Sequence, residues 1–396
     1  MKRYSDTRSL LMLARLLRQF NGEGTLTSES GKTFECHFHL KILLKGTWEF
    51  FCTCESTSFI EIPSAERFRF QGQSSEGLLV SSSDLLLKRW GDKATQTELT
   101  LVGTEVTVKN QTPNPTAGLN RYWLSNAMFQ ATQMSAIGKV HWRNYSELTI
   151  NGTKAKIQYA DWYDAATHLS KSGNYSIVSS FVDVAGTNAL TKQEFEAFCW
   201  MFSLATGGWV ACPAHEILDD AGKVIDGRYT DVFQNRAKTS QIIPDSTPWE
   251  QGLEHFLETT VIAYLRIYEE YDLAQSLGFY LEAKASTFAE VKFLLLGIAA
   301  RSLGAAFART NGLALDPEKA YGALGTKIGL HRTDVDKSLW RICDQITKTG
   351  KFKSEKGSPH EYYSAFNDIE CSYLKLLGYK GPYINCAKYF REEPFS

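Results

Sequence analysis

A change in hydrophobic period along the chain sets the strongest limit on its fold. Between residues 24 and 110 apolar residues alternate with polar ones in twos, most regularly from Phe34 to Leu44, and Lys45-Gly46 marks a turn into a second such stretch. This period predicts half-buried strands joined as a hairpin. Beyond Pro248 apolar residues recur at spacings of three and four, which predicts helices. The chain therefore predicts an α+β fold, with a sandwich or barrel-like first half and an all-α second half.

The length of 396 residues predicts two or three domains, because domains average about 150 residues. Residues 1–234 are predicted to form a β-rich recognition domain that opens with an amphipathic helix in residues 1–20. Within it, a capping box at Thr191 and Glu194 predicts a helix near 191–206. The proline-containing stretch 235–248 marks a boundary. Residues 235–396 are predicted to form a helix bundle, with helical segments at 253–280, 288–308, 319–329, 335–347 and 362–377.

Composition restricts the setting in which the chain works. Eight scattered cysteines favour reduced thiols and a cytoplasmic protein. The longest apolar run, 293–300, is far shorter than the roughly 20 residues that span a bilayer, so no membrane span is predicted. Lys and Arg (43) balance Asp and Glu (44), so a nucleic-acid surface must be local. The chain lacks a phosphate-binding Gly-x-x-x-x-Gly-Lys-Ser/Thr loop, and no cofactor is predicted.

Several segments of the second half carry a family resemblance. They are the element 198–208 (FCWMFSLATGG), the helix 290–296 (EVKFLLL), Tyr362-Tyr363 and the ending 374–383 (LKLLGYKGPY). Together with the β-rich first half, they resemble large bacterial proteins with an ApeA-like HEPN domain. HEPN proteins commonly pair through their helical bundles and cleave RNA without a metal. The resemblance implies work on RNA, a role in defence against phages or plasmids, and a partner that is a second copy or another subunit of the defence system.

The HEPN signature is altered in this chain. In the family an Arg is followed, after four to six positions, by a His, and the pair moves a proton and holds the phosphate. Here Cys343 stands in place of the Arg and Lys348 in place of the His. A lysine with an ordinary pKa of about 10.4 transfers protons poorly at neutral pH. The sequence thus predicts a binding or scaffold protein with a degenerate HEPN-like domain. The alternative is an active metal-independent endoribonuclease that uses Arg341, His331 and Lys348.

A local excess of positive charge lies in the segment 341–356. Its five cations outnumber its two acidic residues, and phosphate contacts need charge and reach rather than sequence readout. The alternative is a solvated helix end at which lysine is favoured by the helix dipole. The predicted nucleic-acid contacts are Arg341, Lys348, Lys351, Lys353 and Lys356.

A metal site in the first hairpin is a further alternative. If Lys45-Gly46 is a two-residue turn, His37 lies opposite Cys54 and His39 opposite Cys52, on one face. Two thiolates and two imidazoles suit zinc. Neither spacing is that of a usual zinc knuckle, and an ordinary strand pair without metal is the prediction.

Overall fold

The computed structural model describes residues 15–55, 66–93, 96–111, 118–137, 140–172, 176–186, 189–231, 241–244, 252–330, 335–352 and 359–395. They form two compact units. The barrel unit comprises the described residues of 1–126, 158–189 and 211–234, and the helical unit those of 127–157, 190–210 and 235–396. The second unit thus includes two segments that precede residue 235.

The described strands are β1 (Leu16–Ser28), β2 (Thr33–Leu43), β3 (Trp48–Cys54), β4 (Arg67–Ser74), β5 (Leu78–Lys93), β6 (Gln96–Gly103), β7 (Glu105–Asn110), β8 (Leu119–Ser125), β9 (Gln133–Ile137), β10 (Val140–Ile150), β11 (Thr153–Tyr159), β12 (Val178–Ala185), β13 (Ala211–Leu218), β14 (Val224–Thr230), β15 (Gly381–Asn385) and β16 (Arg391–Phe395). The described α-helices are α1 (Tyr163–Ser172), α2 (Lys192–Thr206), α3 (Leu253–Ile267), α4 (Leu273–Ala285), α5 (Ala289–Thr310), α6 (Pro317–Lys327), α7 (Val335–Thr349) and α8 (Pro359–Leu376). A 3₁₀ turn spans Cys386–Lys388.

Six antiparallel strands close into a barrel in the barrel unit. Their order is β4-β1-β2-β3-β6-β5, and β5 pairs back with β4. Alternate residues point inward, so Phe38, Phe50 and Phe70 meet in the interior with ring centroids 4.7 to 5.7 Å apart. Strand β5 also pairs with β7, which continues into β14, β13, β8 and β12. The predicted α+β class and β-rich first half are confirmed, and the β architecture contains a closed barrel.

The predicted opening helix is wrong where the structure describes it. Residues 16–20 belong to strand β1, and residues 1–14 lie outside the described residues. The register of β1 against β2 shifts between Leu16 and Arg18. This irregularity places Leu17 and Phe20, three positions apart, in the same core. Their spacing matches that of a helix face, so the pattern misled the assignment.

Helix α2 follows the sequence prediction closely. The Thr191 hydroxyl accepts a hydrogen bond from the Glu194 N–H, and the Glu194 carboxylate accepts one from the Thr191 N–H. The helix ends at Gly207, whose φ of 68° is left-handed. The predicted helix at 253–280 is instead two helices, α3 and α4. Asp272, with a φ of 48°, lies between them, and the apolar spacing continues across the break.

Helix α5 is the centre of the helical unit. It packs against α4, α6, α7 and α8. Its length of 22 residues and the mean hydropathy of 1.6 in its most apolar 18-residue window also suit a membrane span. In the helical unit, 56% of its most apolar window is buried, as in the core helix of a folded domain. The unit also contains strands β9 and β10, which precede the predicted boundary at 235–248. The prediction of helices alone after 248 is wrong at the hairpin β15–β16.

Candidate functional site

Cys343 and Lys348, the two positions compared above with the HEPN signature, lie on helix α7 in different environments. Leu339, Ile342 and Ile346 share its buried face at helical spacing. Cys343 lies on that face at 2% exposure, and its Sγ donates to the Phe293 carbonyl at 3.2 Å. Burial raises the pKa of this thiol to about 11. Cys343 is therefore a neutral packing residue at neutral pH.

A glycine on the neighbouring helix makes room for this thiol. A Cβ built at Gly297 would lie 2.7 Å from the Cys343 Sγ, which is closer than real Cβ contacts come. The sulfur thus fills the space that a side chain at 297 would need. A larger residue at 343, such as the arginine of the HEPN signature, would require α5 and α7 to separate.

Lys348 and Lys351 are exposed at the end of the same helix. Gly350 adopts a φ of 67° and turns the chain. Phe352 then packs on Phe293, with ring centroids 4.8 Å apart, and its N–H donates to the Glu290 carboxylate at 3.2 Å. The segment is anchored on both sides of the two lysines, which remain open to solvent. Two other predicted contacts, Lys353 and Lys356, lie outside the described residues.

Arg341 already has an acidic partner. Its guanidinium nitrogen lies 3.3 Å from the Glu361 carboxylate on α8, and the two side chains are 38% and 15% exposed. This pairing competes with any phosphate for the guanidinium. His331, the imidazole of the alternative catalytic set, lies outside the described residues. The structure places Arg341 and Lys348 on one helix, seven residues apart.

The alternative zinc set is not assembled. Strands β2 and β3 pair Cys36 with Cys54 and Phe38 with Cys52, so the register differs by one residue from the two-residue turn assumed above. The Leu43 N–H donates to the Thr47 carbonyl, which leaves three residues in the loop. Cys52 and Cys54 consequently face the barrel interior. His37 and His39 lie on the outer face.

A buried ionic network in the helical unit was missed by the sequence reasoning. Lys284 of α4 and Glu370 of α8 lie 2.9 Å apart at side-chain exposures of 6% and 1%. The Tyr280 hydroxyl donates to the same carboxylate at 2.7 Å. Lys292 donates to the Tyr362 hydroxyl at 2.9 Å, and burial, then the charge of Lys284, lowers the pKa of Lys292. The sequence did contain a signal of this network, namely charged residues such as Lys284 and Glu370 on the apolar faces of their helices.

The cavity beside this network limits its chemistry. Its volume is about 60 Å³, and its lining includes Lys284, Lys292, Tyr362 and Glu370. A water molecule occupies about 30 Å³ of liquid, so the cavity has room for water but not for a nucleotide. We therefore interpret the network as a structural device of the helical unit.

Comparison with known proteins gives no relative from which to transfer a function. No protein-family model, curated protein or solved structure matches this chain. Within the described residues, no group of three or more His, Cys, Asp or Glu side chains has an arrangement suited to a metal ion.

Proposed function

We propose that this protein is an RNA-associated binding or scaffold protein whose helical unit contacts phosphates without cleaving the strand. The environment of the two signature positions is the observation that carries the proposal. Cys343 is buried and bonded to a backbone carbonyl, whereas Lys348 is exposed. Neither side chain combines a phosphate grip with a proton relay, which RNA cleavage of the HEPN kind requires.

Exposed lysines at the end of α7 support phosphate binding. Lys348 and Lys351 are open to solvent on a segment that is anchored by Phe352. Phosphate contacts of this kind depend on charge and reach, and they release counterions from the nucleic acid. The HEPN resemblance adds two parts to the proposal: pairing with a second copy or another subunit, and antiviral defence in a bacterium. The scattered cysteines add a cytoplasmic location.

Salt-dependent RNA binding tests the proposal. Fluorescence anisotropy with a labelled single-stranded RNA measures the affinity of the full chain between about 50 and 200 mM salt. We expect the double variant Lys348→Glu/Lys351→Glu to weaken binding and to reduce the slope of log affinity against log salt by about 1.4, since each lost contact contributes about 0.7. The charge-matched control is Lys192→Glu/Lys319→Glu, at two exposed lysines elsewhere in the helical unit. Equal effects of the two double variants would overturn the role of the α7 end.

Incubation with RNA in EDTA tests the absence of cleavage. We expect mixed RNA to stay intact during prolonged incubation with the purified protein. Robust cleavage that is lost in Arg341→Ala or His331→Ala would contradict the proposal and establish the alternative endoribonuclease.

A further inference from the structure

A groove on the barrel unit combines positive charge, apolar surface and an unpartnered hydroxyl. Its volume is about 490 Å³, within the usual range of 300 to 1,000 Å³ for small-molecule sites. Its walls come from β3, β5 and β6 and the residues just before β3, and Asp231 lies at its edge. All of the lining residues belong to the barrel unit.

Strand register aligns the outer surface of the barrel at this groove. Phe51 of β3 pairs with Thr100 of β6, and Thr100 pairs with Arg89 of β5. Because directly opposed residues share a face, these three side chains form a row across the strands. Phe51 and Val102 supply apolar surface in the same groove. The Arg89 guanidinium and the Phe51 ring therefore lie on the same face of the barrel, separated by one strand, β6.

Three cations line the groove. Lys45 is engaged by Glu49 at 3.7 Å. Lys88 and Arg89 are exposed, and neither forms an ion pair within the part of the chain that the structure describes. Two exposed, adjacent cations beside an apolar surface suit a ligand that joins an anionic group to a flat, apolar ring. The carboxylates of Glu49 and Asp231 add acceptors for N–H groups of a ligand.

One unpartnered polar atom belongs to a lining residue just before β3. The Thr47 hydroxyl has no hydrogen-bond partner among the described residues. The Trp48 Nε1 also has none, but Trp48 packs in the barrel interior with Phe50 and Cys52, on the face opposite Phe51. A buried polar group without a partner is unfavourable, and protein interiors rarely contain one. A ligand carbonyl or ring nitrogen at this end of the groove would accept a hydrogen bond from the Thr47 hydroxyl.

We propose that this groove binds a nucleotide, either free or as one residue of a single strand of RNA. The phosphate contacts Lys88 and Arg89, and the base packs on Phe51 and Val102. The edge of the base accepts a hydrogen bond from the Thr47 hydroxyl. Stacking and phosphate contacts of this kind are the two components of single-strand recognition. The inference assigns a ligand to the barrel unit and does not depend on the role proposed for α7.

Calorimetric titration of the full chain tests the groove. The probes are adenosine and uridine 5′-monophosphate, inorganic phosphate, and a twelve-nucleotide single-stranded RNA. We expect nucleotide or RNA binding that Lys88→Glu/Arg89→Glu weakens by about tenfold or more, because two charged contacts become repulsive. The charge-matched control Arg69→Glu/Lys109→Glu, at exposed cations of the same unit outside this groove, should leave the affinity unchanged.

A subtler variant tests the Thr47 hydroxyl. Thr47→Val removes it at nearly constant volume, and we expect it to weaken nucleotide binding by about fivefold while inorganic phosphate binding stays the same. Trp48→Phe removes an N–H on the interior face of the same strand and should leave both affinities unchanged. Circular dichroism and the unfolding midpoint of each variant establish that the barrel is intact.

The outcomes separate the two sources of the nucleotide. Binding of free monophosphates that the groove variants weaken identifies a free nucleotide as a sufficient ligand. Binding of RNA alone, weakened by the same variants and retained in Lys348→Glu/Lys351→Glu, identifies a strand residue. The inference is overturned if no probe binds, if phosphate binds as tightly as the nucleotides, or if the groove variants bind like the control. RNA binding that responds only to the α7 variants would leave the proposed function standing and remove this inference.

Discussion

Among the described residues, each unit has one fully buried carboxylate, and the two receive different sets of hydrogen bonds. In the barrel unit Glu216 accepts two hydrogen bonds on each oxygen: two from Arg18, one from the Trp123 indole and one from the Tyr229 hydroxyl, all at 2.8 to 3.0 Å. In the helical unit Glu370 receives Lys284 and Tyr280 on one oxygen. Its other oxygen has the Cys386 thiol at 3.6 Å, beside the 60 Å³ cavity.

The difference predicts how strongly a substitution in each network lowers the stability of its unit. The Arg18 side chain is 30% exposed, so water reaches part of its charge. The Lys284 side chain is 6% exposed and depends on its partner. Four donors in fixed directions hold Glu216, whereas Glu370 relies on two strong donors. We therefore expect the helical network to fail after a single substitution and the barrel network to lose stability in steps.

The largest expected effect is that of Lys284→Met. Removal of the lysine leaves the Glu370 charge buried, which should destabilise the helical unit by about 3–5 kcal/mol. The double variant Lys284→Met/Glu370→Met removes both charges at similar volume and should recover most of that loss. Hydrogen exchange of helical-unit peptides, measured by mass spectrometry, reports the change. A double variant no more stable than the single one would show that the charge is not the cause.

The barrel network should respond less to the loss of its charge. Glu216→Gln keeps the shape of the side chain but replaces the carboxylate with an uncharged amide. The amide NH₂ is itself a donor, so it cannot accept the two hydrogen bonds given to the oxygen that it replaces, one from Arg18 and one from Trp123 or Tyr229. We expect a loss of about 2 kcal/mol in the barrel unit, because hydrogen bonds to a charged group contribute about 1.5–3 kcal/mol. Exchange of barrel-unit peptides measures it. A loss larger than that of Lys284→Met would break the comparison between the units.

Removal of one tyrosine hydroxyl from each network sharpens the comparison. Tyr280→Phe takes away one of the two strong donors of Glu370, and we expect a loss of about 2 kcal/mol. Tyr229→Phe leaves three donors on Glu216, and we expect about 1 kcal/mol. Urea midpoints followed by hydrogen exchange of each unit test the ranking. Equal losses would mean that the number of remaining donors does not matter.

The smallest expected difference is in the response to alkaline pH. Burial first, and then the adjacent carboxylate, raise the pKa of both Tyr229 and Tyr280 well above 10. Above pH 10 the unfolded chain releases the phenol protons while the folded chain retains them, so stability present below pH 10 is lost as the pH rises. Each tyrosine should contribute at most about 1.4 kcal/mol per pH unit. The corresponding Tyr→Phe variant should reduce the slope of the unfolding free energy against pH by that amount, as measured by unfolding between pH 9 and 11.

Much of the local structure was predictable, and the errors have physical causes. The alternation from Phe34 to Leu44 correctly indicated a half-buried strand, because period two is a property of the strand itself. The register failed by one residue because the loop before Thr47 holds three residues, with Gly46 at a φ of 77°. That single residue moved His37 and His39 to the face opposite Cys52 and Cys54.

Some features of the candidate sites were also predictable from local sequence, and others were not. Helical periodicity alone places Cys343 with Ile342 and Ile346 and leaves Lys348 on another face, so the contrast on α7 could be anticipated. The pairing of Arg341 with Glu361 could not, because it joins two helices. The groove of the barrel unit could not be predicted either, since Phe51, Thr100 and Arg89 are far apart in the chain and are aligned by strand pairing.

The sequence by itself determined the periods, the capping box at Thr191 and hence the kinds of elements in each half, because these depend on neighbours within a few residues. Tertiary structure alone decided the closure of the barrel, the strand register, and which charged residues, among them Lys284 and Glu370, became buried. Those outcomes depend on contacts between distant segments, whose packing and desolvation energies no local pattern encodes.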